Sequence, residues 1–255
     1  GAGRLARSCA AAASAAAVPD PDVGAVAAAL GEVRARVLAT AGGRPVQLVA
    51  VSKTKPAEAV GAAHAAGQVI FGENYVQELL EKAPMVSSEA KWHFIGRLQS
   101  NKARKLVQSI PNLVAIETVD SESLANKLAT AAADAGRGSE GRPALDVYVQ
   151  VDTSGELTKG GVQPNEAPAL AQHIVAKCAP GLRLAGLMTI GAPGDTGAFD
   201  KLVAARDAVA GALGVPAEEV GLSMGMSGDF EEAIRRGATS VRVGSLIFGS
   251  RPPKA

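Results

Sequence analysis

The chain has 255 residues, enough for one large α/β domain or two small ones. Its 26 Lys plus Arg nearly balance 25 Asp plus Glu, and the net charge of +1 leaves no basic excess for a nucleic-acid backbone and no basic run for a membrane surface. Cys9 and Cys178 form no C-x-x-C pair and no metal-type cluster with the histidines, and no apolar run approaches the ~20 residues of a membrane span, so a soluble cytoplasmic protein without a metal site is expected.

The first eighteen residues are Ala-rich, carry Arg4 and Arg7, and have no acid before Asp20. Two origins fit them: a disordered tail, or the remnant of a transit peptide, which would place the protein in a plastid or mitochondrion. Residues 1–20 are therefore set apart from a single domain over 21–255. Its first element is a helix over Asp22 to Thr40, with Val23, Val26, Leu30, Val33 and Val37 at helical spacing and Gly42-Gly43 ending it.

From there one beat repeats: a short apolar run, a polar turn, an amphipathic helix. The runs are Leu48–Val51, Val69–Phe71, Trp92–Ile95, Leu113–Ile116, Leu145–Val151, Leu184–Met188, Val220–Met224 and Ser240–Val243. Helices are expected over Ala57–Ala66, Val76–Lys82, Asn101–Gln108, Ser121–Ala135, Glu166–Lys177, Ala198–Leu213 and Asp229–Arg236, with a short last one near Ser245. Alternation of this kind calls for a parallel sheet, and eight units in this length fit a closed (β/α)₈ TIM barrel with an additional N-terminal helix. The chain ends at Ala255, soon after the eighth unit, so no C-terminal β domain is expected. An open doubly wound sheet is the alternative; it would usually carry a Gly-rich phosphate turn after its first strand, unlike Ser52-Lys53-Thr54-Lys55-Pro56.

A barrel gathers its carboxyl strand ends on one face, where the chemistry sits. Lys53 follows the first strand directly. An ordinary lysine amine, with a pKa near ~10.4, is almost wholly protonated at neutral pH; partial burial lowers that value and makes it a nucleophile able to form a Schiff base. At the seventh and eighth ends, Ser227-Gly228-Asp229 and Gly244-Ser245 read as two adjacent helix starts whose backbone N–H groups suit an anion. A phosphate site after strands 7 and 8 recurs in barrels. A lysine and a phosphate cradle on opposite walls of one mouth fit a small molecule that joins an aldehyde to a phosphate, as pyridoxal 5′-phosphate (PLP) does.

Seven segments carry a family resemblance: 48–56 (Leu-Val-Ala-Val-Ser-Lys-Thr-Lys-Pro), 71–78 (Phe-Gly-Glu-Asn-Tyr-Val-Gln-Glu), 92–102 (Trp-His-Phe-Ile-Gly-Arg-Leu-Gln-Ser-Asn-Lys), 151–156, 186–191, 222–227 (Leu-Ser-Met-Gly-Met-Ser) and 241–249 (Val-Arg-Val-Gly-Ser-Leu-Ile-Phe-Gly). Together, from about Val23 to Arg251, they resemble the pyridoxal-phosphate homeostasis proteins, whose PLP-binding barrel is like the N-terminal domain of alanine racemase. The resemblance implies PLP as an internal aldimine on Lys53, Arg242 facing the pyridine nitrogen, Ser227, Gly244 and Ser245 holding the phosphate, and Asn74 and Ser223 lining the pocket. It also implies a role in supplying PLP and in vitamin B6 and amino-acid homeostasis, with no established turnover; the expected partners are PLP and apo PLP-dependent enzymes, and a monomer is expected. Asp152 stands where the family often has Asn, and Gly228 where Ala or Asp is usual.

A guanidinium donates hydrogen bonds but stays protonated, so at Arg242 it pairs with an unprotonated ring nitrogen and makes the ring a weaker electron sink than a carboxylate would. Racemisation needs a second acid or base, and the two tyrosines offer little: Tyr148 reads as core and Tyr75 as the remaining candidate. A PLP-dependent racemase of low activity and a cofactor-free Schiff-base aldolase are the alternatives to a carrier. His93 reads as a satisfied core histidine, His64 and His173 as structural or solvated, Lys55 and Lys159 as surface lysines flanking the mouth, and Ser100–Lys105 as a solvated basic face.

Overall fold

Each apolar run pairs in parallel with the next, and the eighth returns to the first. Strands β1 (Gln47–Val51), β2 (Ile70–Glu73), β3 (Lys91–Phe94), β4 (Leu113–Val119), β5 (Leu145–Gln150), β6 (Leu182–Met188), β7 (Gly221–Ser223) and β8 (Ser240–Val243) close a barrel. The structure is a computed structural model that describes residues 23–156, 160–192 and 194–250. Residues 1–20 and Lys159, for which expectations were set out above, lie outside the described residues.

Around the barrel run α1 (Val23–Ala41), α2 (Ala57–Ala65), α3 (Val76–Lys82), α4 (Ala103–Ser109), α5 (Glu122–Asp134), α6 (Ala167–Lys177), α7 (Gly197–Leu213), α8 (Phe230–Arg235) and α9 (Ser245–Phe248). The expected (β/α)₈ architecture with an added N-terminal helix is the one observed. Among the described residues no helix is long and apolar enough to cross a membrane, and no His, Cys, Asp and Glu cluster could hold a metal.

Strand alternation divides the core into two layers. In β3, Trp92 and Phe94 are fully buried in the layer between strands and helices, with Phe71, Leu113 and Leu145. His93, between them, turns into the barrel lumen, where it meets Glu117 of β4. The lumen also holds Tyr148, Met188, Ser223 and Arg242, an unusually polar filling for a space commonly packed with branched aliphatics. β4 is longer than its apolar run suggests and carries Glu117 and Thr118 inside the strand; their polarity hides the strand in the sequence, and it is satisfied by His93 and Ser223 in the lumen for Glu117 and by the Gly96 carbonyl after β3 for Thr118.

α1 buries Val26, Leu30, Val33 and Val37, the stripe its spacing predicts, against α2, α8 and α9. Arg34 Nη1 donates to the Ala66 carbonyl at 2.8 Å, Arg44 Nη2 to that of Ile234 at 2.6 Å, and the Arg36 guanidinium lies 4.7 Å over the Phe230 ring. α1 thus braces the helices that follow β1, β7 and β8, the sector from which the mouth residues come.

Candidate functional site

The register between β1 and β8 sets the geometry. Leu48, Val49 and Ala50 face Val241, Arg242 and Val243, so Lys53 and the Gly244-Ser245 turn emerge side by side. The lysine and the cradle therefore do not occupy opposite walls, as expected from the sequence. Closure bonds the last strand to the first and makes them neighbours. Lys53, Arg242, Ser227, Gly228, Gly244 and Ser245 line one cavity of about 260 Å³ at the carboxyl ends of the strands, with Ile95 and Met226 as apolar walls.

The turn bearing Lys53 is clamped from below. Lys82, buried, donates to the Ser52 carbonyl at 2.9 Å, to Glu73 Oε1 at 2.5 Å and to Glu78 Oε1 at 2.8 Å. Ser52 Oγ donates to the same Glu73 oxygen at 2.7 Å, and the Thr54 N–H donates to Glu78 at 2.6 Å. Thr54 sits at φ +64°, a left-handed conformation costly for a β-branched residue, so the clamp holds the turn against local preference. Lys53 is half-buried on this turn. Lys55, which also lines the cavity, donates to the Ser250 carbonyl at 2.8 Å, and burial lowers its pKa from the ordinary lysine value.

Arg242 forms the floor, 4 % exposed. Its Nη1 donates to Ser223 Oγ at 2.7 Å and its Nη2 to the Thr189 carbonyl at 2.7 Å. Ser223 Oγ in turn donates to Glu117 Oε2 at 2.6 Å, and Arg242 Nη1 lies 3.7 Å from that oxygen. Glu117 Oε1 is 2.6 Å from His93 Nδ1, whose Nε2 lies 3.3 Å from Gln47 Nε2. Burial pushes the Glu117 carboxyl up, but contacts to His93, Arg242 and Ser223 outweigh it and hold the group below the ordinary carboxylate range. Burial likewise lowers Arg242, against the opposing pull of Glu117 and Asp229, and a guanidinium so placed stays protonated.

The cradle is built by two turns tied together. Ser227 Oγ accepts from the Gly244 N–H at 3.2 Å, and Asp229 Oδ1 accepts from the Met226 N–H at 2.6 Å. The Gly244 N–H is thereby occupied within the protein, whereas among the described residues no acceptor is found for the N–H groups of Ser245 and Leu246, which open α9. Gly225, at φ +91°, has no room for a side chain, since a Cβ would fall 2.5 Å from that of Ala233. A cation at Arg242, a hydroxyl at Ser227, unbonded N–H groups at Ser245 and an amine at Lys53 make a donor set matched to an aldehyde, a ring acceptor and a phosphate.

Two predicted site residues stand outside this cavity. Ser223 lies beneath Arg242, fully buried, and orients it. Asn74 belongs to a larger groove of about 720 Å³ with Tyr75, Arg97 and Lys102, and its Oδ1 is buried without a partner. The Asn74 carbonyl packs where a Cβ on Gly96 would come within 2.0 Å, which holds the residue to the β2–β3 side. Neither tyrosine lines the cavity: Tyr75 is 54 % exposed in that groove, and Tyr148 is buried in the lumen with its pKa raised, first by burial and then by Glu117 and Asp146.

His93 has both ring nitrogens in contact, as a satisfied core histidine should. Asp152 accepts from the N–H groups of Ser154 and Gly155 within its own turn, away from the cavity. His173 contacts Asn126 at 2.7 Å, His64 stacks on Phe71, and Arg104 of the basic face pairs with Asp134 at 2.8 Å. Sequence reasoning passed over Glu117 as a site residue. Its one signal was an acid at the end of a buried strand with no nearby basic residue to pair it.

The family model for the alanine racemase N-terminal domain matches residues 24–252. The pyridoxal phosphate homeostasis protein of Bos taurus is 51 % identical over 216 residues, covering 80 % of this chain and 77 % of that protein. The protein of the same name in Pseudomonas aeruginosa is 43 % identical over 228 residues, with 86 % and 91 % covered. Among solved structures, PipY of Synechococcus elongatus with PLP bound superposes with a TM-score of 0.71 at 34 % identity, over 88 % of this chain and all of that one.

Proposed function

The chain belongs to the alanine racemase N-terminal domain family and, within it, to the pyridoxal phosphate homeostasis proteins, and from that premise we propose that it binds PLP covalently on Lys53 and passes it on without turning over a substrate of its own. The observation that carries the reading is the convergence of Lys53, Arg242, Ser227 and Ser245 on one cavity. Bound PLP supplies an aldehyde that condenses with a primary amine, releasing water. Lys53 offers that amine from a clamped turn, Ser227 and the N–H groups opening α9 receive the phosphate, and Arg242 donates to the ring nitrogen.

Arg242 at the floor favours holding over carbanion chemistry, because a donor-only group leaves the ring nitrogen unprotonated and the ring a weak electron sink. The tyrosines support the same conclusion, since neither reaches the cavity to serve as a second acid or base. Delivery to apo PLP-dependent enzymes by a cytoplasmic monomer completes the proposal.

The test is spectroscopic. Protein reconstituted with PLP should absorb in the visible, and borohydride reduction followed by peptide mapping should place the cofactor on Lys53. K53A should lose the band, and neither protein should interconvert D- and L-amino acids. A colourless protein, label on another lysine, or racemisation that depends on Lys53 would overturn the proposal.

A further inference from the structure

The lumen beneath the cavity holds more ionisable chemistry than binding alone requires. His93 enters from β3, Glu117 from β4, Tyr148 from β5 and Arg242 from β8, with Gln47 of β1 and Ser223 of β7 as neutral bridges. Asp229, next to α8, adds a negative charge that acts on Arg242, and Lys53 and Lys55 line the cavity above. Within this set Glu117 is wholly buried, 2.6 Å from both His93 Nδ1 and Ser223 Oγ. A carboxylate accepts only, so His93 Nδ1 and Ser223 donate to it, while Nε2 of the ring contacts the Gln47 amide at 3.3 Å.

Two N–H groups of Arg242 are thereby committed, one to Ser223 and one to the Thr189 carbonyl; among the described residues no hydrogen-bond partner is found for its other donors, and the side chain lines the cavity. An isolated cation buried here would be costly, and Glu117 compensates it across 3.7 Å and one bridging hydroxyl. Resting on the reading of Lys53 and Arg242 given above, we propose that Glu117, braced by His93, is a positioning residue for the mouth. Its carboxylate holds Arg242 as an oriented, compensated cation and so sets the electrostatic field at a cofactor joined to Lys53. Loss of the Glu117 charge leaves the floor one unit more positive, which disfavours the protonated form of the Lys53–cofactor linkage.

The experiment is a pH titration of the visible band in PLP-reconstituted wild type, E117Q and E117D, with the fold of each checked by circular dichroism. Removing one charge within the low-dielectric lumen should lower the E117Q midpoint by about one pH unit, and E117D should return it to wild type. An E117Q curve superimposable on wild type, or an E117D curve that follows E117Q, would overturn the assignment. A second measurement needs no variant. In wild type labelled at histidine with ¹⁵N, PLP should move the resonances of His93 and leave those of His64 and His173 in place; an unmoved His93 overturns the proposal equally. Wild type that takes up no PLP at all would instead count against the reading of the site.

Discussion

Ser227 shows how much rests on single atoms. Its hydroxyl oxygen accepts from the Gly244 N–H, which leaves its own proton to donate into the cavity, so one side chain ties two turns together and offers a hydrogen bond to an anion. Hydrogen bonds to charged groups are worth roughly 1.5–3 kcal/mol, so S227A should weaken PLP retention by about 10- to 100-fold, measurable as Kd by equilibrium dialysis. Unchanged affinity would remove Ser227 from the phosphate site. At this scale Lys53, Ser227 and Ser245 were legible as residues of the mouth because each sits in a turn after a strand, whereas Arg242 was singled out by the family resemblance. Ser223 and Asn74 fall outside the cavity lining, which a linear pattern does not show, because it puts residues at a strand end without saying whether the side chain reaches the mouth, the lumen or the next sector.

Elements act through the clamp that joins β1, β2 and α3. Lys82 at the end of α3 neutralises Glu73 of β2 and Glu78 of its own helix, and through Ser52 and Thr54 it holds the turn after β1. K82M would leave the Glu73 carboxylate buried and unpaired. Breaking a buried pair on one side costs about 3–5 kcal/mol, so urea unfolding should lose stability on that scale. PLP should also leave faster from K82M, because the strained Thr54 conformation loses its support. A variant destabilised by the stated amount but with wild-type PLP release would show that the clamp serves stability alone. The helix and strand were both evident in the sequence. Their pairing was not, since a lysine at the end of a short amphipathic helix reads as solvent-facing until β2 is packed beneath it.

Across the whole molecule, buried carboxylates couple folding to pH. Glu117 is held below its ordinary range, so its contribution to stability is present above the unfolded carboxylate value and is lost as pH falls through the folded one. Burial raises Glu73 despite the opposing effect of Lys82, and that group acts in the reverse sense, stabilising at low pH and losing the effect as pH rises. A comparison with E117Q isolates the first term. Below about pH 4.5, wild type should lose urea stability more steeply than E117Q, and parallel curves would deny Glu117 its depressed pKa.

By itself the sequence determined the order and type of the elements, because the period of apolar residues and the turns between them are local properties that survive without tertiary contacts. It also determined which turns carry amine, hydroxyl and glycine chemistry, for the same reason. Only the closed barrel decided that Lys53 stands beside the Gly244-Ser245 turn and not across from it, through hydrogen bonding of β8 to β1. Closure likewise brought Glu117 within reach of Ser223, 106 residues away, and through it to Arg242. Charges that distant in the chain interact strongly only once they share one low-dielectric interior, and that interior exists only in the folded barrel.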